Sequence, residues 1–112
     1  MTGPVVISRE VNALYQRALE LAEAEKIEEA MDNLREATAI SPDFSTGICE
    51  LGNCYARLNE HDKAVEHYDK AIGVDPYHAD AWYNKGQALI KQGNSSEGEH
   101  CISKAIDLHS GR

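Results

Sequence analysis

The stretch from Asp75 to Asn94, DPYHADAWYNKGQALIKQGN, repeats the grammar of SPDFSTGICELGNCYARLNE, Ser41 to Glu60, 34 residues upstream. Each opens on a proline phrase, places Gly at one shared offset and closes on a polar turn containing Asn. A chain that says one thing at a fixed period folds as stacked copies of one small unit. Such a unit buries its apolar face only against its neighbours. This constrains the fold more tightly than any composition does.

Laid on a 34-residue ruler, the chain divides into registers 11–44, 45–78 and 79–112, after an extension of residues 1–10. The fourth position holds Leu14, Ile48 and Trp82, the eighth Ala18, Gly52 and Gly86, and the eleventh Leu21, Tyr55 and Leu89. The twentieth holds Ala30, Ala64 and Gly98, the twenty-fourth Leu34, Tyr68 and Ile102, and the twenty-seventh Ala37, Ala71 and Ala105. The thirty-second is Pro42, Pro76 and Ser110.

Positions 4, 8 and 11 are spaced four and three, so they share one helix face, and 20, 24 and 27 do the same on a second helix. Large residues fill space at 4, 11 and 24, while small ones at 8, 20 and 27 let two backbones approach. Turn signals separate the faces at Glu25-Lys26, Asn59-Glu60-His61 and Gly93-Asn94-Ser95. Asn94 with Glu97 three residues on reads as an N-cap with a capping-box partner. Pro42 and Pro76 end one helical pair and open the next. The spacing predicts helices near 9–24, 27–40, 45–58, 61–74, 79–92 and 95–108, an all-α fold.

The period and pattern resemble the tetratricopeptide repeat (TPR), whose signature is W-x2-L-G-x2-Y…A-x3-F…P. The second register reads Ile48-x2-Leu51-Gly52-x2-Tyr55…Ala64-x3-Tyr68…Pro76, and the third Trp82-x2-Lys85-Gly86-x2-Leu89…Gly98-x3-Ile102. Departures are Arg17 and Lys85 at the usually apolar seventh position, and Gly98 and Ser110 in the last unit. The resemblance implies a right-handed α-solenoid of three helix-turn-helix units, TPR 1 (11–44), TPR 2 (45–78) and TPR 3 (79–112), forming one domain over 11–112.

Composition narrows what such an array handles. With 11 basic and 19 acidic residues the net charge is −8, the wrong sign for a phosphate backbone. The charge falls from −5 over 11–44 to −3 over 45–78 and to zero over 79–112. No apolar run reaches the ~20 residues of a membrane span, and MTGPVVISRE has no basic n-region of a secretory signal, so a cytoplasmic location is expected. Cys49, Cys54 and Cys101 form no C-x-x-C and suit a reducing compartment, where buried Cys acts as a small hydrophobe.

Chemistry finds little footing. His61, His67, His78, His100 and His109 fall at different phases of the repeat, and no Gly-rich phosphate loop or G-x-S-x-G elbow is present. The acidic run EAEKIEEAMD reads as a solvated turn and helix surface. No enzyme, cofactor or metal site is expected.

Surface remains. The resemblance implies a concave face built from the first helix of each unit, at positions 2, 5, 6, 9, 12 and 13. Those positions supply Asn12, Tyr15, Gln16, Leu19, Ala22 and Glu23; then Thr46, Cys49, Glu50, Asn53, Ala56 and Arg57; then Asp80, Tyr83, Asn84, Gln87, Ile90 and Lys91. Asn53, Asn84 and Gln87 offer amides to the backbone of a partner peptide, and Tyr15 and Tyr83 offer rigid contact area. Relatives that clamp the C-terminal carboxylate of a heat-shock protein place Lys and Asn at 5 and 9 of the first repeat, Asn at 6 of the second, and Lys and Arg at 2 and 6 of the third. Here those places hold Tyr15, Leu19, Glu50, Asp80 and Asn84, so the clamp is expected to be missing.

Two functions follow as expectations. The first is a non-catalytic scaffold that holds a peptide or helix of another protein on the concave face. The second is a self-associating unit. The chain ends at Gly111-Arg112 with no solvating helix, which predicts Cys101, Ala105, Ile106 and Leu108 partly exposed as a weak homodimer contact. Val5-Val6-Ile7 is expected to cover the opposite end.

Overall fold

The computed structural model describes residues 7–111. Among them are six helices and no strand: α1 Arg9–Glu23, α2 Ile27–Ile40, α3 Ser45–Arg57, α4 His61–Val74, α5 Ala79–Lys91 and α6 Ser95–Ser110. Every expected helix is present. The helices pack as successive hairpins, α1 with α2, α3 with α4 and α5 with α6, and α3 and α5 each lie against the second helix of the preceding pair. The expectation for Val5 and Val6 falls outside the described residues.

The turn inside each hairpin is the same device used three times. Glu25 (φ 64°), Asn59 (φ 62°) and Gly93 (φ 93°) take the left-handed conformation at the fifteenth position of their repeats. The next residue's N–H then reaches back to a carbonyl five residues earlier: Lys26 to Leu21 at 2.8 Å, Glu60 to Tyr55 at 2.9 Å and Asn94 to Leu89 at 2.9 Å. These bonds satisfy carbonyls that the helix end leaves free, the Schellman closure. Only Gly adopts that conformation without strain, Asn tolerates it, and Glu25 is held there against its preference.

The N-terminal caps differ from expectation. Asn94 stands at the N-cap of α6 but makes no side-chain cap bond, so the capping box with Glu97 does not form. Its hydrogen-bonding at that point is backbone, as donor to Leu89 and as acceptor from Gly98 at 2.9 Å. The side chain that does cap is Ser8, whose Oγ accepts from Val11 N at 3.2 Å.

The small residues at position 8 set the helix spacing. A Cβ on Gly52 would stand 2.6 Å from Cε1 of buried Tyr68. A Cβ on Gly86 would stand 2.6 Å from the Gly98 carbonyl oxygen, and one on Gly98 the same distance from that of Gly86. The α5–α6 contact is therefore glycine on glycine, closer than any side chain allows. Two apolar clusters fill the seams. One joins Ala18, Ile27, Ala30, Met31, Leu34, Leu51 and Cys54. The other joins Ile48, Cys49, Ala64, Tyr68, Ala71, Ala81 and Ala88. Leu14, Leu21, Tyr55, Trp82 and Ile102, expected as packed, are half-buried.

Lys85 explains itself at its unusual position. Its ammonium pairs with Asp69 of α4 at 2.7 Å and lies 5.8 Å from the Trp82 ring centroid. Burial alone would lower its pKa, but the bond and charge of Asp69 outweigh that and leave it raised. The apolar stem packs while the charged tip joins the second unit to the third.

Candidate binding face

The face expected to meet a partner is drawn from α1, α3 and α5. Asn12, Arg57, Asp80, Tyr83, Gln87 and Lys91 are exposed, and Tyr15, Leu19, Glu50, Asn53 and Asn84 are half-buried. Cys49 departs from expectation: at 3 % exposure it belongs to the second apolar cluster and offers a partner nothing. Its neighbour across the seam is α5, whose Asn84 points Nδ2 at its Sγ from 4.0 Å.

Between α3 and α5 lies an open depression of about 280 Å³, bordered by Asn53, Ala56, Arg57, His61, Tyr68, Asn84, Gln87, Ala88 and Lys91. Asn53 is its hub. The Oδ1 of Asn53 accepts from Tyr68 Oη at 2.6 Å and from Asn84 Nδ2 at 3.0 Å. One amide oxygen thus ties α3 to α4 and to α5. The expectation that Asn53, Asn84 and Gln87 offer amides to a peptide backbone is narrowed, because Asn53 Oδ1 and Asn84 Nδ2 are spent on bonds inside the protein. Asn53 Nδ2 is turned toward Glu50, and Asn84 Oδ1 remains for an outside group. Gln87 Nε2 likewise donates to Tyr83 Oη at 2.7 Å, which fixes the ring on the exposed side of α5.

Arg57 also does more than line the face. Its two terminal nitrogens donate to the Ala22 carbonyl at 3.0 Å and to Glu25 Oε1 at 2.9 Å, closing the end of α1. Tyr15 packs edge-on against Phe44, with centroids 5.3 Å apart. Tyr68 and His61 are lining groups that sequence reasoning did not assign to the face. The signal was available for Tyr68: a hydroxyl at a position that needs only an aromatic ring.

The titratable groups point away from nucleophilic chemistry. Burial pushes the Cys49 thiol up to about 12 and the Cys54 thiol up to about 11, with Glu50 adding to both. Both sulfurs stay protonated at neutral pH and are poor nucleophiles. A serine and a histidine do meet, Ser45 Oγ and His78 Nδ1 at 2.7 Å. Ser45 Oγ also lies 3.0 Å from the Ala71 carbonyl, to which it donates its one proton. The imidazole is then the donor to Ser45, the reverse of what an activated serine requires. The pair fastens the start of α3 to the end of its own unit. No helix among the described residues is long and apolar enough to cross a membrane.

Glu50 gives the face its electrostatic character. Burial raises its pKa, the Asn53 amide opposes, and Asp80 raises it further. Neither Glu50 nor Asp80 has an ion-pair partner among the described residues.

With this geometry in place, the family follows. The profile described as "Tetratricopeptide repeat" matches residues 11–44 and 79–109, and that described as "TPR repeat" matches 52–93. The chain belongs to the tetratricopeptide-repeat family, as an all-α array of helix-turn-helix units. It is 29 % identical over 82 residues to protein bimA of Emericella nidulans, covering 73 % of this chain and 10 % of that one. It is 36 % identical over 89 residues to human TMTC3, a protein O-mannosyl-transferase, covering 79 % of this chain and 10 % of that one. The chain thus spans about a tenth of the length of both relatives. Among solved structures it is similar to SycD, a type III secretion translocator chaperone of Yersinia enterocolitica, with TM-score 0.89 and 20 % identity over 94 % of this chain and 80 % of that one. SycD in complex with a peptide of the translocator YopD gives TM-score 0.85 at 21 % identity, over 90 % and 77 % of the two chains.

Proposed function

We propose that this chain is a non-catalytic module that binds a peptide or helix of another protein along the face of α1, α3 and α5. The observation that carries the reading is the depression between α3 and α5, rimmed by exposed Gln87, Lys91 and Arg57 over a floor of fixed amides. Amides held in place by the protein recognise backbone without first being ordered, which favours a bound segment. The SycD–YopD complex, a similar fold holding a peptide of its partner, supports the same use here.

The reading excludes a heat-shock carboxylate as the ligand. Glu50 and Asp80 stand where the clamp needs a neutral amide and a cation, and their charges repel a terminal carboxylate. The proposed partner is a peptide or helix of another protein, held without a heat-shock-protein carboxylate clamp. Neither nucleic acid nor membrane is proposed as a partner, and the module is proposed to work in the cytoplasm. The test is affinity capture from the native lysate with wild type beside Gln87→Ala/Lys91→Ala, a change confined to exposed side chains. Partners should be lost while the helical spectrum stays. An unchanged partner set would overturn the assignment.

Self-association through α5 and α6 is a second reading, favoured by the exposure of Ile106 at 56 % beside a groove of about 220 Å³. Of the four residues expected there, Cys101 (2 %) and Ala105 (4 %) are buried, a correction to the sequence reading. Ala105 stands at the twenty-seventh position of its repeat, where Ala37 and Ala71 are also buried. Leu108 is half-buried, and Ile106 alone is exposed.

A further inference from the structure

The α5–α6 end continues an interface already used twice inside the chain. Cys49, at position 5 of the second unit, is buried in a cluster with Ala81 and Ala88 of α5, and Ile72 packs partly against the same cluster. The corresponding residues of the third unit are Tyr83, 43 % exposed, and Ile106. Both line the 220 Å³ groove, whose floor is Ala79 and Ala105 and whose rims carry Asp80 and His109.

The other end of the chain does not fit this groove. The faces of α3 and α5 that pack on a preceding unit bury Gly47, Leu51 and Cys54, and Ala81 and Ala88. At the same positions α1 presents Ala13, Arg17 and Glu20, all exposed. Head-to-tail stacking would bury the charged side chains of Arg17 and Glu20. Residues 79–112 carry no net charge, so two such ends approach without repulsion.

We infer that the α5–α6 end recognises itself, two copies meeting tail to tail about a two-fold axis. The inference rests on the self-association reading above and adds its register. Ile106 of each copy enters the groove of the other, and Asp80 of one copy faces His109 of its mate, twice by symmetry. The patch is its own complement: an acid on one rim, an imidazole on the other and an apolar centre between. Asp80 and His109 form no ion pair with each other within one chain, so both are available.

Sedimentation velocity of the 112-residue chain across a concentration series tests this, with Ile106→Glu, Asp80→Lys and His109→Glu beside wild type. Ile106→Glu should weaken the dimer at least about tenfold by placing a charge in the apolar centre. Asp80→Lys and His109→Glu should each weaken it several-fold. An equimolar mixture of those two variants should restore it, because the introduced lysine then faces the introduced glutamate. A wild type that stays monomeric to high micromolar overturns the self-association reading itself. A dimer indifferent to Ile106→Glu overturns the surface. A dimer that mixing does not rescue overturns the two-fold register.

Discussion

Replacing Gly52 with alanine is the sharpest probe of how the repeat is built, because a second glycine supplies its control. Alanine favours a helix interior over glycine by about 1 kcal/mol. At exposed Gly73, in the last turn of α4, a Cβ meets nothing within 4 Å, so Gly73→Ala should realise much of that gain, about 0.5–1 kcal/mol of added stability. At Gly52 the same methyl stands 2.6 and 2.7 Å from two atoms of the Tyr68 ring. The ring is buried and its hydroxyl is held on Asn53 at 2.6 Å, so it cannot swing aside without breaking that bond. Overpacking of this kind costs about 1–3 kcal/mol. Loss of the hydrogen bond adds about 1 kcal/mol. Set against the helix gain, Gly52→Ala should destabilise by about 1–3 kcal/mol, of opposite sign to Gly73→Ala. Urea unfolding followed by circular dichroism reads both, provided the denaturant slope is unchanged. Gly52→Ala that stabilises as Gly73→Ala does would refute the close approach of α3 to α4.

Glu25→Gly should stabilise by about 0.5–1 kcal/mol, since the left-handed strain outweighs an exposed pair with Arg57; a lower urea midpoint contradicts this. Asp69→Asn should destabilise by about 1 kcal/mol by leaving the half-buried Lys85 ammonium unpaired, a loss that added salt diminishes little. Glu50 has a folded pKa raised mainly by burial, so its contribution favours folding at low pH and is lost as pH rises through that pKa. Glu50→Gln should therefore stabilise at neutral pH, with the difference shrinking as the medium is acidified; a constant difference across the titration would show the carboxyl to be unperturbed. Peptides ending in a heat-shock acidic tail should show no calorimetric binding, and micromolar affinity would overturn the reading of Glu50 and Asp80.

The helices were legible because the period fixes them: apolar residues at 4, 8 and 11, then 20, 24 and 27, allow one phase only, and turn residues mark the breaks. The recurring left-handed residue at Glu25, Asn59 and Gly93 was less legible, since Glu25 is the wrong residue type for it. The site was read in outline and missed in detail. Helical position says that Cys49 and Asn53 point toward one face; it does not say that α5 covers the first and that Tyr68 and Asn84 occupy the carbonyl of the second. Those outcomes depend on contacts across seams, which no single helix encodes. The burial of Ala105 was legible in the period, since it shares the twenty-seventh position with buried Ala37 and Ala71; that of Cys101, which has no apolar counterpart at Asn33 or His67, was not.

The measurement that bears most directly on the central claim is amide chemical-shift mapping of the labelled chain titrated with a captured partner segment. Shifts should concentrate on α1, α3 and α5 at Asn12, Tyr15, Asn53, Tyr83, Asn84, Gln87 and Lys91, and the Asn53 side-chain amide should move among the earliest. Shifts confined to the outer faces of α2 and α4, at residues such as Glu36 and Lys70, would contradict the account.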